Sequence, residues 1–140
     1  MASTLYAAAV GTTIVPKTAS DTIVVQGSYE LSAALVINDV IQMVKIPKNA
    51  VVDEVILGTD DLDTGGSPAI VLEVGDSGDT DRYIAASTVA QAGGVVRLGT
   101  VDGMGYTYTA ETTIDIKVPT APATGTTTGT LKLTVIYHMR

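Results

Sequence analysis

The sequence predicts an all-β chain folded as an antiparallel two-sheet sandwich. Fifty of its 140 residues are β-branched (21 Thr, 18 Val and 11 Ile). Such side chains lose rotamer freedom in helices and pack well on a pleated surface. Apolar and polar residues alternate in short runs separated by turn residues, which is the pattern of half-buried strands. No stretch holds a helical period for more than a single turn.

Residues 1–30 differ from the rest. Ala2 to Ile14 is small, threonine-rich and nearly uncharged, and Pro16-Lys17 interrupts it. The run Thr22-Ile23-Val24-Val25 is β-like, with Gly27 as its expected stop. This segment reads either as an extended N-terminal arm or as the first pair of strands, ahead of a domain spanning 31–140. In the arm reading, residues 2–18 carry Leu5, Tyr6, Val10, Ile14 and Val15 as apolar side chains that the arm alone cannot bury, and Lys17 is the only charged side chain among them. These six residues are the candidate partner-binding set, suited to adding a strand to an exposed sheet edge.

Strands are expected at Ala33–Ile37 and Val40–Ile46, hinged at Asn38-Asp39, and then at Val51–Leu57. A turn-rich loop runs from Gly58 to Pro68. Ile70, Leu72 and Val74 then alternate with Val71 and Glu73. An acidic loop over Gly75–Asp81 leads to Arg82-Tyr83-Ile84, and Ala86–Ala92 with Gly93-Gly94 reads as one helical turn with a glycine stop. Val95 and Arg97 alternate with Val96 and Leu98, and Tyr106 and Tyr108 share a face. Ile114, Ile116 and Val118 point one way, as do Leu131, Leu133 and Val135, so these six belong to the core. Between the last two strands, Pro119–Gly129 carries no charge. Short strands with frequent turns make a jelly roll of about eight strands the first choice.

Composition narrows the function. With 8 basic and 15 acidic residues the net charge is −7, and such a chain repels phosphate, so nucleic acid is not an expected partner. There is no Cys, hence no disulfide framework or thiolate metal site. No apolar run approaches the length of a membrane-spanning helix, and no secretory leader is evident. The single His138 lies on the polar side of the last strand without recognisable partners. No nucleophile or phosphate-binding motif accompanies it, so the chain is not expected to be an enzyme. Asp60-Asp61-Leu62-Asp63 and Asp76–Asp81 place hard oxygens on loops, as calcium sites do. Neither follows an EF-hand pattern, and Asp and Gly are also what tight turns need. Solvated turns, with no metal or other cofactor, are the expectation.

One resemblance gives direction. Asp39-Val40-Ile41-Gln42-Met43-Val44-Lys45-Ile46-Pro47-Lys48-Asn49-Ala50 is similar to a strand-turn signature of tailed-bacteriophage structural proteins. Asp61-Leu62-Asp63, Val74-Gly75-Asp76, Gly105 through Ile114, and Ala121-Pro122-Ala123-Thr124-Gly125 extend it over most of 39–137. The chain thus resembles capsid decoration (cement) proteins with a jelly-roll fold. That resemblance implies a structural virion protein on the outer surface of a phage capsid, bound to the major capsid protein and stabilising contacts between capsomers. A homo-oligomer is expected, a homodimer ahead of a trimer. The alternative is a carbohydrate- or receptor-binding module of a phage tail or cell surface, which six Tyr and no Trp make the weaker reading.

Overall fold

A computed structural model describes residues 2–7 and 21–140. Its strands are β1 (Thr4–Tyr6), β2 (Thr22–Glu30), β3 (Val40–Ile46), β4 (Ala50–Thr59), β5 (Val71–Asp76), β6 (Asp79–Ser87), β7 (Gly94–Arg97), β8 (Thr112–Thr120) and β9 (Thr130–Met139). One sheet has the order β1-β3-β8-β5-β6 and the other β2-β9-β4-β7.

Strand pairs β2–β9, β3–β8, β4–β7 and β5–β6 nest like the rungs of one long hairpin whose turn is Ser77-Gly78. That hairpin is rolled so that β9 also pairs with β4, and β8 with β5. From β2 onward the chain changes sheet at every connection except the β5–β6 turn. This is the jelly-roll arrangement of two sheets, with β1 added in parallel beside β3.

The core lies where the alternation puts it. Ile114, Ile116, Val118, Leu131, Leu133, Val135 and Tyr137 are buried between the sheets, facing Ile41, Val55, Leu57, Leu72 and Val74. A bulge between Gln42 and Val44 turns Met43 and Val44 both inward, as an extra residue in one strand does. Ala90 of the short 3-10 turn Val89–Gln91 is buried too, and Gly93 ends this turn where a helical turn with a glycine stop is expected.

Three local expectations need correction. Gly27 does not stop its strand, because β2 runs on to Glu30 in unbroken register with β9. Glycine serves close approach there: a Cβ would fall 2.2 Å from the Met43 carbonyl oxygen of the facing sheet. Ala33–Ile37 is not a strand. Leu31 and Leu35 are buried while Ile37 is exposed, and the Asp39 carboxylate takes the Val36 N–H at 2.9 Å, offering the backbone a local alternative to a ladder. Finally, Gly75–Asp81 is mostly strand, with a turn of only Ser77-Gly78.

Candidate interaction surface

Three buried carboxylates, Asp39, Asp63 and Asp76, fix loops of the sandwich. Asp39, nearly fully buried, receives the Ser3 N–H at 3.0 Å as well as that of Val36. The Val40 N–H bonds to the Ser3 carbonyl and the Ala7 N–H to the Gln42 carbonyl. The segment around β1 is thereby fastened to the β3 edge, with Leu5 opposite Ile41 and Tyr6 opposite Gln42. Leu5 is half-buried against the core, and Tyr6 is 61% exposed. Of the six candidate residues the structure thus brings Leu5 and Tyr6 together on one sheet edge. Val10, Ile14, Val15 and Lys17 lie outside the described residues.

Asp63 clamps one end of the sandwich. Its Oδ2 accepts the N–H groups of Ala69 (2.6 Å), Ile70 (3.0 Å) and Ala123 (2.9 Å), and its Oδ1 that of Thr124 (2.7 Å). Burial acts to raise its pKa, but the four backbone donors outweigh it and hold the carboxyl at about 2. Leu62 and Thr64 donate to the Ala90 and Thr124 carbonyls, so the 60–70, 88–93 and 120–130 loops form one cross-tied end. Residues 31–38, 64–72 and 119–130 at this end contain no charged side chain, while Asp60 and Asp61 beside them are exposed. Ser, Thr, Ala, Gly and Pro there lose little side-chain entropy when ordered against a partner.

Asp76 performs the same service at the other end. Its Oδ1 takes the Gly78 and Asp79 N–H groups at 2.9 and 3.0 Å. Its Oδ2 receives Arg82 Nε at 2.7 Å and the Tyr108 hydroxyl at 2.8 Å. Burial again raises the carboxyl's pKa, but Arg82, Tyr108 and Gly78 bring it below the ordinary value. The Tyr83 and Tyr108 hydroxyl oxygens are 2.6 Å apart. Because Tyr108 spends its proton on Asp76, Tyr83 is the donor in that pair. Burial pushes both phenols up. Arg82 also lies 3.7 Å over the Tyr106 ring, a cation–π contact, and Tyr106 meets Tyr108 edge-on. The 99–111 loop is held to the β5–β6 hairpin through this network.

Of the aspartates in the two candidate calcium loops, Asp63 and Asp76 are buried rather than solvated as expected, and they accept from N–H and O–H donors that a cation would displace. Among the described residues, no cluster of three His, Cys, Asp or Glu is arranged to hold a metal. His138 Nδ1 is 2.8 Å from Asp53 Oδ2 on the outer face of the four-stranded sheet. Both side chains are partly exposed, so the pair is a surface contact. Exposed apolar residues lie on that same face (Val24 and Val95) and in the loops (Ile37, Val101 and Met104).

Known structures supply the context for this surface. No family model and no curated protein matches the sequence. A chain in the capsid of Ralstonia phage GP4 is 34% identical, with 99% of each chain covered and a TM-score of 0.88. A chain in the cyanophage Pam1 capsid asymmetric unit is 33% identical, covering 92% of this chain and 94% of that one, with a TM-score of 0.79. The protein belongs to this family of phage capsid proteins. A chain of the Helicobacter pylori bacteriophage KHP30 capsid, 19% identical with a TM-score of 0.50, shares the fold. The loop clamps Asp39, Asp63 and Asp76 are the residues that sequence reasoning missed. Their types were visible as turn aspartates, but the segments they join are up to 61 residues apart in sequence.

Proposed function

We propose that this capsid protein is a decoration, or cement, protein: it binds the outer surface of the phage head and stabilises contacts between capsomers. The single observation that carries the reading is the near-complete two-way match to a chain of a phage capsid, achieved by a small domain built for rigidity. Its ends are cross-tied by buried carboxylates, and one end presents uncharged stretches of small residues beside Asp60 and Asp61. A shell-binding protein gains from such preorganisation, because loops already ordered cost less to immobilise. Many copies bridging adjacent capsomers convert modest single-site affinity into avidity. Anything that binds only the intact shell stabilises it by linkage. The role is structural and not enzymatic.

The N-terminal segment, with Leu5, Tyr6, Val10, Ile14, Val15 and Lys17, is the proposed capsid-contacting arm, and a homodimer or trimer is the proposed solution state. The test is reconstitution. Shells assembled without this protein are mixed with the full chain or with a chain lacking residues 2–18, whose folding is first checked by circular dichroism and cooperative melting. Saturable binding of the full chain and a raised shell-disruption temperature are expected, with weaker binding of the truncated chain. If the full chain does not co-sediment with shells, the decoration reading fails. If the truncated chain binds equally well, the arm assignment fails.

A further inference from the structure

The outer face of the five-stranded sheet carries a groove that the clamps do not account for. In register, Asp115 of β8 lies between Gln42 of β3 and Gly75 of β5, and Lys117 lies between Val40 and Glu73. The β6 backbone folds low over this face. A Cβ at Gly75 would fall 2.1 Å from the Asp79 carbonyl oxygen, so only glycine permits the crossing. With Thr4 of β1 on the other side, Gln42, Asp76, Thr80, Asp115 and Lys117 help line a groove of about 200 Å³.

Asp115 places a carboxylate in this groove with Oδ1 buried and without a hydrogen-bond donor. Leaving a buried acceptor unpaired costs stability. Burial pushes the carboxyl up to about 6, opposed by the Thr113 hydroxyl and reinforced by the Asp76 charge. The neighbouring charges do not compensate it. Asp76 is already engaged by Arg82. Glu73, Asp79 and Asp81 crowd the adjoining strands, and the Asp81 carboxyl is raised by its hydrogen bond to Asp79, by burial and by both neighbours' charges. The cations facing these strands are Lys117 and, opposite Thr113, Lys45. Neither makes an ion pair among the described residues.

The geometry points to a receptor site for one basic side chain, the guanidinium or ammonium group of an Arg or Lys on a neighbouring subunit, seated against Asp115 and Gln42. Only the subunit's identity rests on the decoration reading. The negative surroundings favour a cation, Asp115 supplies the charge, and Gln42 Oε1 with the Thr4 and Thr80 hydroxyls supplies further acceptors.

Asp115→Asn separates this role from folding, because it keeps the shape and removes the charge. A carboxyl raised above its unfolded value destabilises the fold only where it ionises: the penalty is absent below about pH 4, grows towards pH 6 and is full above it. The isolated variant should therefore melt higher than wild type above pH 6 and equally at low pH. N-acetyl-argininamide added to the wild-type protein should shift the Gln42, Gly75 and Asp115 amide resonances saturably, and tetramethylammonium at equal ionic strength should not. Neither should do so in the variant. On shells, Asp115→Asn should bind at least tenfold more weakly despite its higher melting point. Wild-type amides indifferent to N-acetyl-argininamide would overturn the site, as would a response that emerges only in Lys117→Met, which would make Lys117 the occupant. A variant that binds shells like wild type would overturn its use in assembly. Wild-type failure on shells would sink the decoration reading instead, with the small-cation titration still deciding the groove.

Discussion

Removing one hydroxyl, in Tyr108→Phe, tests the network at the 99–111 loop. Tyr108 donates to the Asp76 carboxylate at 2.8 Å and accepts from Tyr83, whose side chain is fully buried. A hydrogen bond to a charged group is worth about 1.5–3 kcal/mol, and a buried hydroxyl left unpaired costs about 1–3 kcal/mol. Tyr108→Phe incurs both and should cost roughly 3 kcal/mol, allowing for partial relaxation around the Tyr83 hydroxyl. Unfolding entropy near 2.1 cal/mol/K per residue gives about 0.3 kcal/mol/K for a chain of this length, so the melting midpoint should fall by about 10 °C. Tyr83→Phe removes only a neutral bond and should cost about 1 kcal/mol. In the double variant no hydroxyl is orphaned, so its loss should be smaller than the sum of the single losses, by on the order of 1 kcal/mol. Calorimetry and urea melts of the four proteins measure this. Strict additivity, or a Tyr108→Phe protein as stable as wild type, would refute the relay from Tyr83 through Tyr108 to Asp76.

Other outcomes follow from the same structure. The Asp63 carboxyl is depressed from 3.8 to about 2, so its contribution is present above the unfolded value and lost as pH falls through about 2. Asp63→Asn should lower the melting midpoint at pH 7 and flatten its decline between pH 4 and 2, as read by calorimetry across that range. Gly27→Ala places a Cβ 2.2 Å from the Met43 carbonyl oxygen and should cost at least the 1–3 kcal/mol typical of overpacking, measured by urea unfolding. Calcium should leave the melting midpoint where chelator leaves it, since a ligand at 100 times its Kd would add about 2.7 kcal/mol. A shift of several degrees in differential scanning fluorimetry would contradict the assignment of Asp63 and Asp76 as loop clamps.

The strands that were legible in the sequence are those whose two faces meet different media. In β8 and β9 the inward residues are apolar and the outward ones mostly polar, so Ile114, Ile116, Leu131 and Leu133 could be assigned to the core from spacing alone. Gly27 misled because its role is set by Met43 on the opposite sheet, a neighbour that no local window contains. Ala33–Ile37 has strand-like composition, yet Asp39 captures the Val36 N–H and holds the segment irregular. The candidate surface was legible in type and hidden in arrangement. An uncharged 119–129 loop and turn aspartates are visible in the sequence, but the joining of Asp63 to Ala123 and Thr124 depends on how the roll closes. Similarly, Asp115 reads as an ordinary outward residue until the β6 backbone crossing Gly75 walls it in.

The central claim, that this chain braces a phage head from outside, is tested most directly by electron cryomicroscopy of shells assembled without it and then saturated with the purified protein. The account predicts new density on the outer surface only, shaped as a jelly roll, touching at least two adjacent capsomers, with the Asp63-clamped loop end or the β1 edge at the contact. Density confined to the interior of the shell, density resting on a single subunit, or shells unchanged at saturating protein would contradict it.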